Sequence, residues 1–88
     1  MKVENITSNN GNKIANQFIV NDDNGNTYFQ SYNSMIVKLN GDRVELDQKY
    51  WNYSNTTGKY RNIFLGETIK DTRAKIKSGE YILTDLNK

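Results

Sequence analysis

Residues 35–46 read MIVKL-NG-DRVEL. Met35, Val37 and Leu39 alternate with Lys38, and past the Asn-Gly pair Val44 and Leu46 alternate with Arg43 and Glu45. A period of two on both sides of a turn signal predicts a β-hairpin with one buried face. Asn40 and Gly41 both tolerate the positive φ that a type I′ turn demands.

The same grammar recurs upstream. Asn10-Gly11 and Asn24-Gly25 are two further turn signals. Strands are expected over Lys2–Thr7, Ile14–Val20, Thr27–Ser31, Met35–Leu39 and Arg43–Leu46. In the second of these, Phe18 and Val20 alternate with Gln17, Ile19 and Asn21, which assigns Phe18 and Val20 to the buried face. Tyr32-Asn33-Ser34 is read as a bend or bulge between two strands. Hairpins in succession make an antiparallel meander the default arrangement. Asp22-Asp23-Asn24-Gly25-Asn26 lacks the spaced acids and closing Glu of a calcium loop, and reads as a hairpin turn.

Downstream the period changes. A helix is expected from about Thr57 to Leu65, capped by Ser54 or Thr56 and ended by Gly66 in a left-handed conformation. Tyr60, Ile63 and Phe64 give it an apolar stripe. A second helix is expected from about Thr68 to Lys77. Thr68 and Asp71 have capping-box spacing, and Ile69, Thr72, Arg73 and Ile76 share one face. Ser78-Gly79 ends it, and Tyr81, Ile82, Leu83 and Leu86 predict a final strand returning to the sheet. Residues 47–56 fit strand and loop alike. The expected fold is therefore α+β, one domain over residues 1–88: an antiparallel β-meander with two short helices packed on one face and a C-terminal strand.

Composition bounds the chemistry. Eighty-eight residues support a single thin core, and ten aromatic residues are ample to fill it, with Trp51 the natural centre. The chain has no Cys and no His, which removes disulfides, thiolate chemistry, ordinary zinc sites and the commonest general acid/base. The carboxylates Glu4, Asp22, Asp23, Asp42, Glu45 and Asp47 fall mostly in turns or on exposed strand faces. A non-catalytic protein without cofactors is expected. No stretch approaches the ~20 apolar residues of a membrane span and no leader pattern opens the chain, so a cytoplasmic location is expected.

The net charge of +2 is unevenly spread. Residues 49–77 hold Lys49, Lys59, Arg61, Lys70, Arg73, Lys75 and Lys77 against Glu67 and Asp71, a local excess of five positive charges. Thr56-Thr57-Gly58-Lys59 is not a Walker loop: Tyr53 and Tyr60 stand where Gly and Ser/Thr are required. Its hydroxyls cap a helix more readily than they hold a phosphate. A helix-turn-helix centred on Gly66 would bury Arg61, Asn62, Thr72 and Lys75, which argues against that motif. The best binding signal is the cluster Tyr50, Trp51, Tyr53 and Tyr60 beside Lys59 and Arg61, in which Trp51 reads first as core and Tyr50 and Tyr53 as the rings open to a partner; Lys70, Arg73 and Lys77 follow on one side of the second helix. Aromatic rings stack bases, and interleaved cations neutralise phosphates.

The stretches YFQSYNS (28–34), Gly41 to Asp47, YWNYSNTTGKYRNIFLGET (50–68) and IKSGEYILTDLN (76–87) resemble a family of small uncharacterised proteins carried by phages and mobile elements of Gram-positive bacteria. The resemblance implies a small accessory gene expressed in a bacterial cytosol and assigns no functional residue. Together these readings lead to an expected partner, nucleic acid or a host nucleic-acid-processing protein, bound by a monomer or small homo-oligomer. The rival expectation is a small inhibitor of a host enzyme or defence nuclease, acting through a protein–protein surface.

Overall fold

Every strand pairs with its neighbour in the chain. The computed structural model describes residues 1–88. Its elements run β1 (Lys2–Thr7), β2 (Lys13–Asn21), β3 (Thr27–Ser31), β4 (Ser34–Asn40), β5 (Arg43–Asp47), α1 (Asn55–Leu65), α2 (Ile69–Ser78) and β6 (Tyr81–Thr84). One six-stranded sheet has the order β1-β2-β3-β4-β5-β6. The first five strands are antiparallel, and β6 returns after both helices to lie parallel to β5. The α+β architecture read from the sequence is the one observed, with strand boundaries within a residue or so.

The registers align side chains into rows that cross the whole sheet. Glu4, Ile19, Phe29, Val37, Leu46 and Leu83 form one row. Its middle members Phe29, Val37 and Leu46 are fully buried, because this face carries the helices. Phe64 of α1 stacks on Phe29 with ring centroids 5.7 Å apart. The adjacent row, Val3, Val20, Tyr28, Lys38, Glu45 and Ile82, lies on the face away from the helices. A register shift after Phe29 leaves Ile36 as an extra residue in β4, so Ile36 and Val37 both join the core cluster. Strict alternation from Met35 could not show this, because a bulge breaks the period of two.

Three expectations need correction. Phe18 and Val20 do not face the main core: Ile19 packs against it, and Val20 is buried on the opposite face between its cross-strand partners Val3 and Tyr28. Both faces of β2 are therefore partly apolar, and alternation alone could not choose between them. The Asn-Gly turns are not type I′, since Asn10, Asn24 and Asn40 lack positive φ and only the glycines adopt it. The third concerns Trp51, which lies at the rim of the core, half-buried. Phe29, at zero exposure, is the aromatic at its centre.

Between β5 and α1, residues 48–54 form a loop and no strand. They are organised by Asp47, the last residue of β5, which is almost fully buried. One carboxylate oxygen accepts the backbone N–H groups of Lys49 (3.1 Å) and Tyr50 (2.8 Å). The other accepts the Leu86 N–H at 2.9 Å. Asp47 thus joins β5, the loop that follows it and the segment after β6. Next to it the Asn87 amide pairs with both backbone groups of Met35, at 2.6 and 2.9 Å. Burial pushes the Asp47 pKa up, but the N–H groups of Leu86, Tyr50 and Lys49 outweigh it and hold the carboxyl below its ordinary value.

A depressed carboxyl pKa stabilises the fold above the unfolded-state value, and that contribution is lost as pH falls through the folded value. Asp47→Ala strands three donors and is expected to cost about 3 kcal/mol, with Asp47→Asn costing less because one oxygen remains to accept. Urea unfolding near neutral pH checks this, and the gap between wild type and Asp47→Asn should close below about pH 4. A gap that stays constant down to strong acid would show that the Asp47 charge does not matter.

Candidate functional site

The basic, aromatic segment occupies the loop before α1, α1 itself and α2. Ser54 caps α1: its hydroxyl accepts the Thr57 N–H at 3.2 Å, and Gly66 ends the helix at φ 69°. This settles the choice between Ser54 and Thr56. Successive helical residues are 100° apart, and Thr57, Tyr60, Arg61, Phe64 and Leu65 cluster on the side facing the sheet. Lys59 and Ile63 point away, and Ile63 is 58% exposed. The expected stripe of Tyr60, Ile63 and Phe64 is thus rotated, and Arg61 takes an inward position. Thr57 and Ser31 add a buried hydroxyl pair 2.8 Å apart between α1 and β3.

Arg61 is only 1% exposed. Its Nη1 donates to the Trp51 carbonyl (2.7 Å) and to Asn52 Oδ1 (3.1 Å), and its Nη2 donates to Asn62 Oδ1 (2.9 Å). The guanidinium carbon sits 5.3 Å from the Trp51 ring centroid. No carboxylate lies within 4 Å of it. Burial lowers its pKa and Arg73 adds to this, against an opposing pull from Glu67. A guanidinium nonetheless stays charged in proteins. Neutral oxygens and an indole face therefore hold a full buried charge, and an added Cβ at Gly58 would meet it in ordinary contact, 3.7 Å from Arg61 Nη2.

Arg73 approaches the same indole from α2, 5.7 Å from the ring centroid. Unlike Arg61, it is exposed. Tyr50 and Tyr53 meet edge to face at 5.4 Å, and the Lys49 ammonium lies 5.3 Å from the Tyr50 ring. Tyr53 is 45% exposed. The result is a patch of rings and cations: Lys49, Tyr50, Trp51, Tyr53 and Arg73. Lys70 and Lys77 extend it along the same side of α2, at helical angles close to that of Arg73.

α2 is set in place by Thr68, whose hydroxyl and backbone form a reciprocal capping box with Asp71. Its other anchor is Glu67 in the interhelical turn. The Glu67 carboxylate accepts from Lys75 Nζ (2.8 Å), Tyr81 Oη (2.7 Å) and the Thr72 hydroxyl. Burial raises the Glu67 pKa, and the bonds from Lys75, Thr72 and Tyr81 outweigh it and bring the pKa below its ordinary value. The same bond to Glu67 raises the Lys75 pKa. Lys75 is thereby committed to α2 and β6, on the side of α2 away from the Arg73 flank.

Of the residues expected to bind a partner, Lys70, Arg73 and Lys77 lie along one flank of α2, and Tyr50 and Tyr53 pair with each other in the loop whose Trp51 Arg73 reaches. Arg61 is not among them: it is a buried structural cation and cannot touch a phosphate. Lys59 is not either. It lies two residues, 200°, around α1 from Arg61 and lines a separate groove of about 380 Å³ with Thr7, Ser8, Ile14, Tyr60 and Ile63. Lys49, which the sequence marks only as part of the charge excess, and Trp51, which it marks first as core, also belong to this group.

The chain belongs to DUF8033, a family of unknown function whose model matches residues 1–82. No curated protein and no solved structure matches it.

Removing Arg61 leaves three oxygens without their donor and a cavity beneath the indole, so Arg61→Ala is expected to cost about 2–5 kcal/mol. Arg61→Met fills similar volume but leaves the same three oxygens without a donor, so it should recover only the part of the loss that comes from the cavity. Lys59→Ala and Lys70→Ala should change stability by no more than about 0.5 kcal/mol. Chemical denaturation of the four variants tests the assignment, and equal, small effects for Arg61→Ala and Lys59→Ala would refute it.

Proposed function

We propose that this member of DUF8033 is a non-catalytic accessory protein of a phage or mobile element that binds nucleic acid, or a nucleoprotein through its nucleic acid. The observation that carries the reading is the surface on which Arg73 lies over Trp51 beside Tyr50, Tyr53 and Lys49. Lys49, Lys70, Arg73 and Lys77 are exposed, and no carboxylate lies within 4 Å of any of them. Their charge is thus available to phosphates, while Lys75 and Arg61 are occupied within the fold.

The pairing of roles follows from chemistry. Tyr53 offers an exposed ring face to an unstacked base, and Arg73, already lying on an indole, can stack and contact phosphate at once. Lys70 and Lys77, about two helical turns apart on one flank, suit successive phosphates along a backbone. Sequence supports the non-catalytic part, through the lack of His and Cys. The two most buried carboxylates, Asp47 and Glu67, are engaged in structural hydrogen bonds. The accessory context and bacterial cytosol rest on the resemblance described above. No helix is long and apolar enough to cross a membrane.

Fluorescence anisotropy with labelled single-stranded DNA, duplex DNA and RNA tests the proposal at low and moderate salt. Affinity should fall steeply with salt. Arg73→Ala and Lys77→Ala should each weaken binding and reduce the salt slope by about one. Tyr53→Ala should cost about 1–3 kcal/mol on single strands and less on duplex. Lys59→Ala should have little effect. An absence of binding at any salt would overturn the proposal in favour of the rival reading, a basic surface docking on an acidic host enzyme.

A further inference from the structure

The sheet has two open edges, β1 and β6. Open edges expose backbone donors and acceptors that pair with any compatible strand unless side chains prevent it. β1, the longer edge, carries Lys2 and Glu4 on the face that holds the helices, joined by a 3.0 Å ion pair. Between them Val3 points to the other face and is 57% exposed. Val3 ends the apolar part of the open-face row, with Val20 and Tyr28 behind it on β2 and β3.

We infer that β1 is a self-association edge, where a second copy of this chain adds antiparallel to extend the sheet. The occupant follows from charge and symmetry. A two-fold axis normal to the sheet keeps each face on its own side, so residues facing each other across the seam must share parity. Centring the pair on Glu4 sets two carboxylates opposite each other. Centring it on Asn5 leaves Lys2 without a cross-strand partner within β1. Centring it on Val3 sets Lys2 against the partner's Glu4 and Glu4 against the partner's Lys2, two opposite-charge pairs of the stabilising kind. In that register Val3 meets the partner's Val3, and the apolar row of Tyr28, Val20 and Val3 runs on into the same row of the second copy. A lone Lys on an edge strand repels a copy of itself; Lys2 with Glu4 two residues on is self-complementary in this one register. β6 has no such device, since Tyr81–Thr84 contains no charge to fix a register.

The seam is short, and its dimer is correspondingly weak and concentration-dependent. The basic patch around Arg73 lies on the loop before α1 and on α2, so pairing at β1 leaves it open.

Sedimentation equilibrium of the full chain over a wide concentration range reads the association directly, with circular dichroism confirming that each variant folds. The wild type should show a reversible monomer–dimer equilibrium. Lys2→Glu should weaken it about tenfold or more by opposing like charges. Lys2→Glu combined with Glu4→Lys should restore it, because the swapped pairs are complementary again. Ile82→Lys on the other edge should leave it unchanged. A wild type that stays monomeric throughout, a dimer indifferent to Lys2→Glu, a double swap that does not recover, or a dimer lost with Ile82→Lys would each overturn the inference.

Discussion

The candidate surface hangs on a guanidinium taken out of water without a counterion in contact. Burying a charge is costly unless nearly all its hydrogen-bonding capacity is met. Arg61 offsets that cost in part, through the carbonyl of Trp51, the side-chain oxygens of Asn52 and Asn62, and the indole face above it, while its buried Nε–H has no partner. Two of those oxygens belong to the loop before α1. The charge can therefore be satisfied only when the loop is folded against the helix, and the loop in turn carries Tyr50, Trp51 and Tyr53. A residue that never reaches solvent thus sets the position of the rings that do.

The two buried carboxylates act in the same manner at the other junctions. Asp47 gathers N–H groups from its own loop and from beyond β6, and Glu67 gathers a Lys, a Tyr and a Thr from α2 and β6. With seven apolar side chains buried, the apolar core is small. The polar residues Gln17, Ser31, Asp47, Thr57, Arg61 and Thr72 are buried alongside it. Directional bonds at the element boundaries supply much of what a larger core would otherwise have to, which suits a chain of this length.

How far this could be read in the sequence follows from which signals are local. Turn residues, period-two strands, Ser54, the Thr68–Asp71 box and the glycines at 66 and 79 act within a few residues, and each predicted its element. What escaped depends on partners distant in the chain. The face of β2 that meets the helices is decided by α1, some forty residues on. The bulge at Ile36 exists because Val37 must stay opposite Phe29. Arg61 looked like a surface cation because charge argues for exposure, and only the rotation of α1, fixed by Thr57 and Phe64 packing inward, turns it to the interior. Charge counting located the basic segment correctly but could not tell cations bound within the fold from those free at the surface. Lys75 and Arg61 were of the first kind, and Lys70, Arg73 and Lys77 of the second.

The parallel pairing of β6 with β5 carries a kinetic implication. The first five strands meet through short turns, so their contacts close small loops and can form early. Tyr81 reaches Val44 only after both helices have been laid across the sheet. That closure is the longest-range strand pairing in the fold, and it completes the Asp47 and Glu67 junctions together. Folding should therefore proceed from a meander to a docked whole, with the last step seating the helices, the loop and its rings at once. In the interval before that step β5, not β6, is the second free edge of the sheet, and the basic patch does not yet exist.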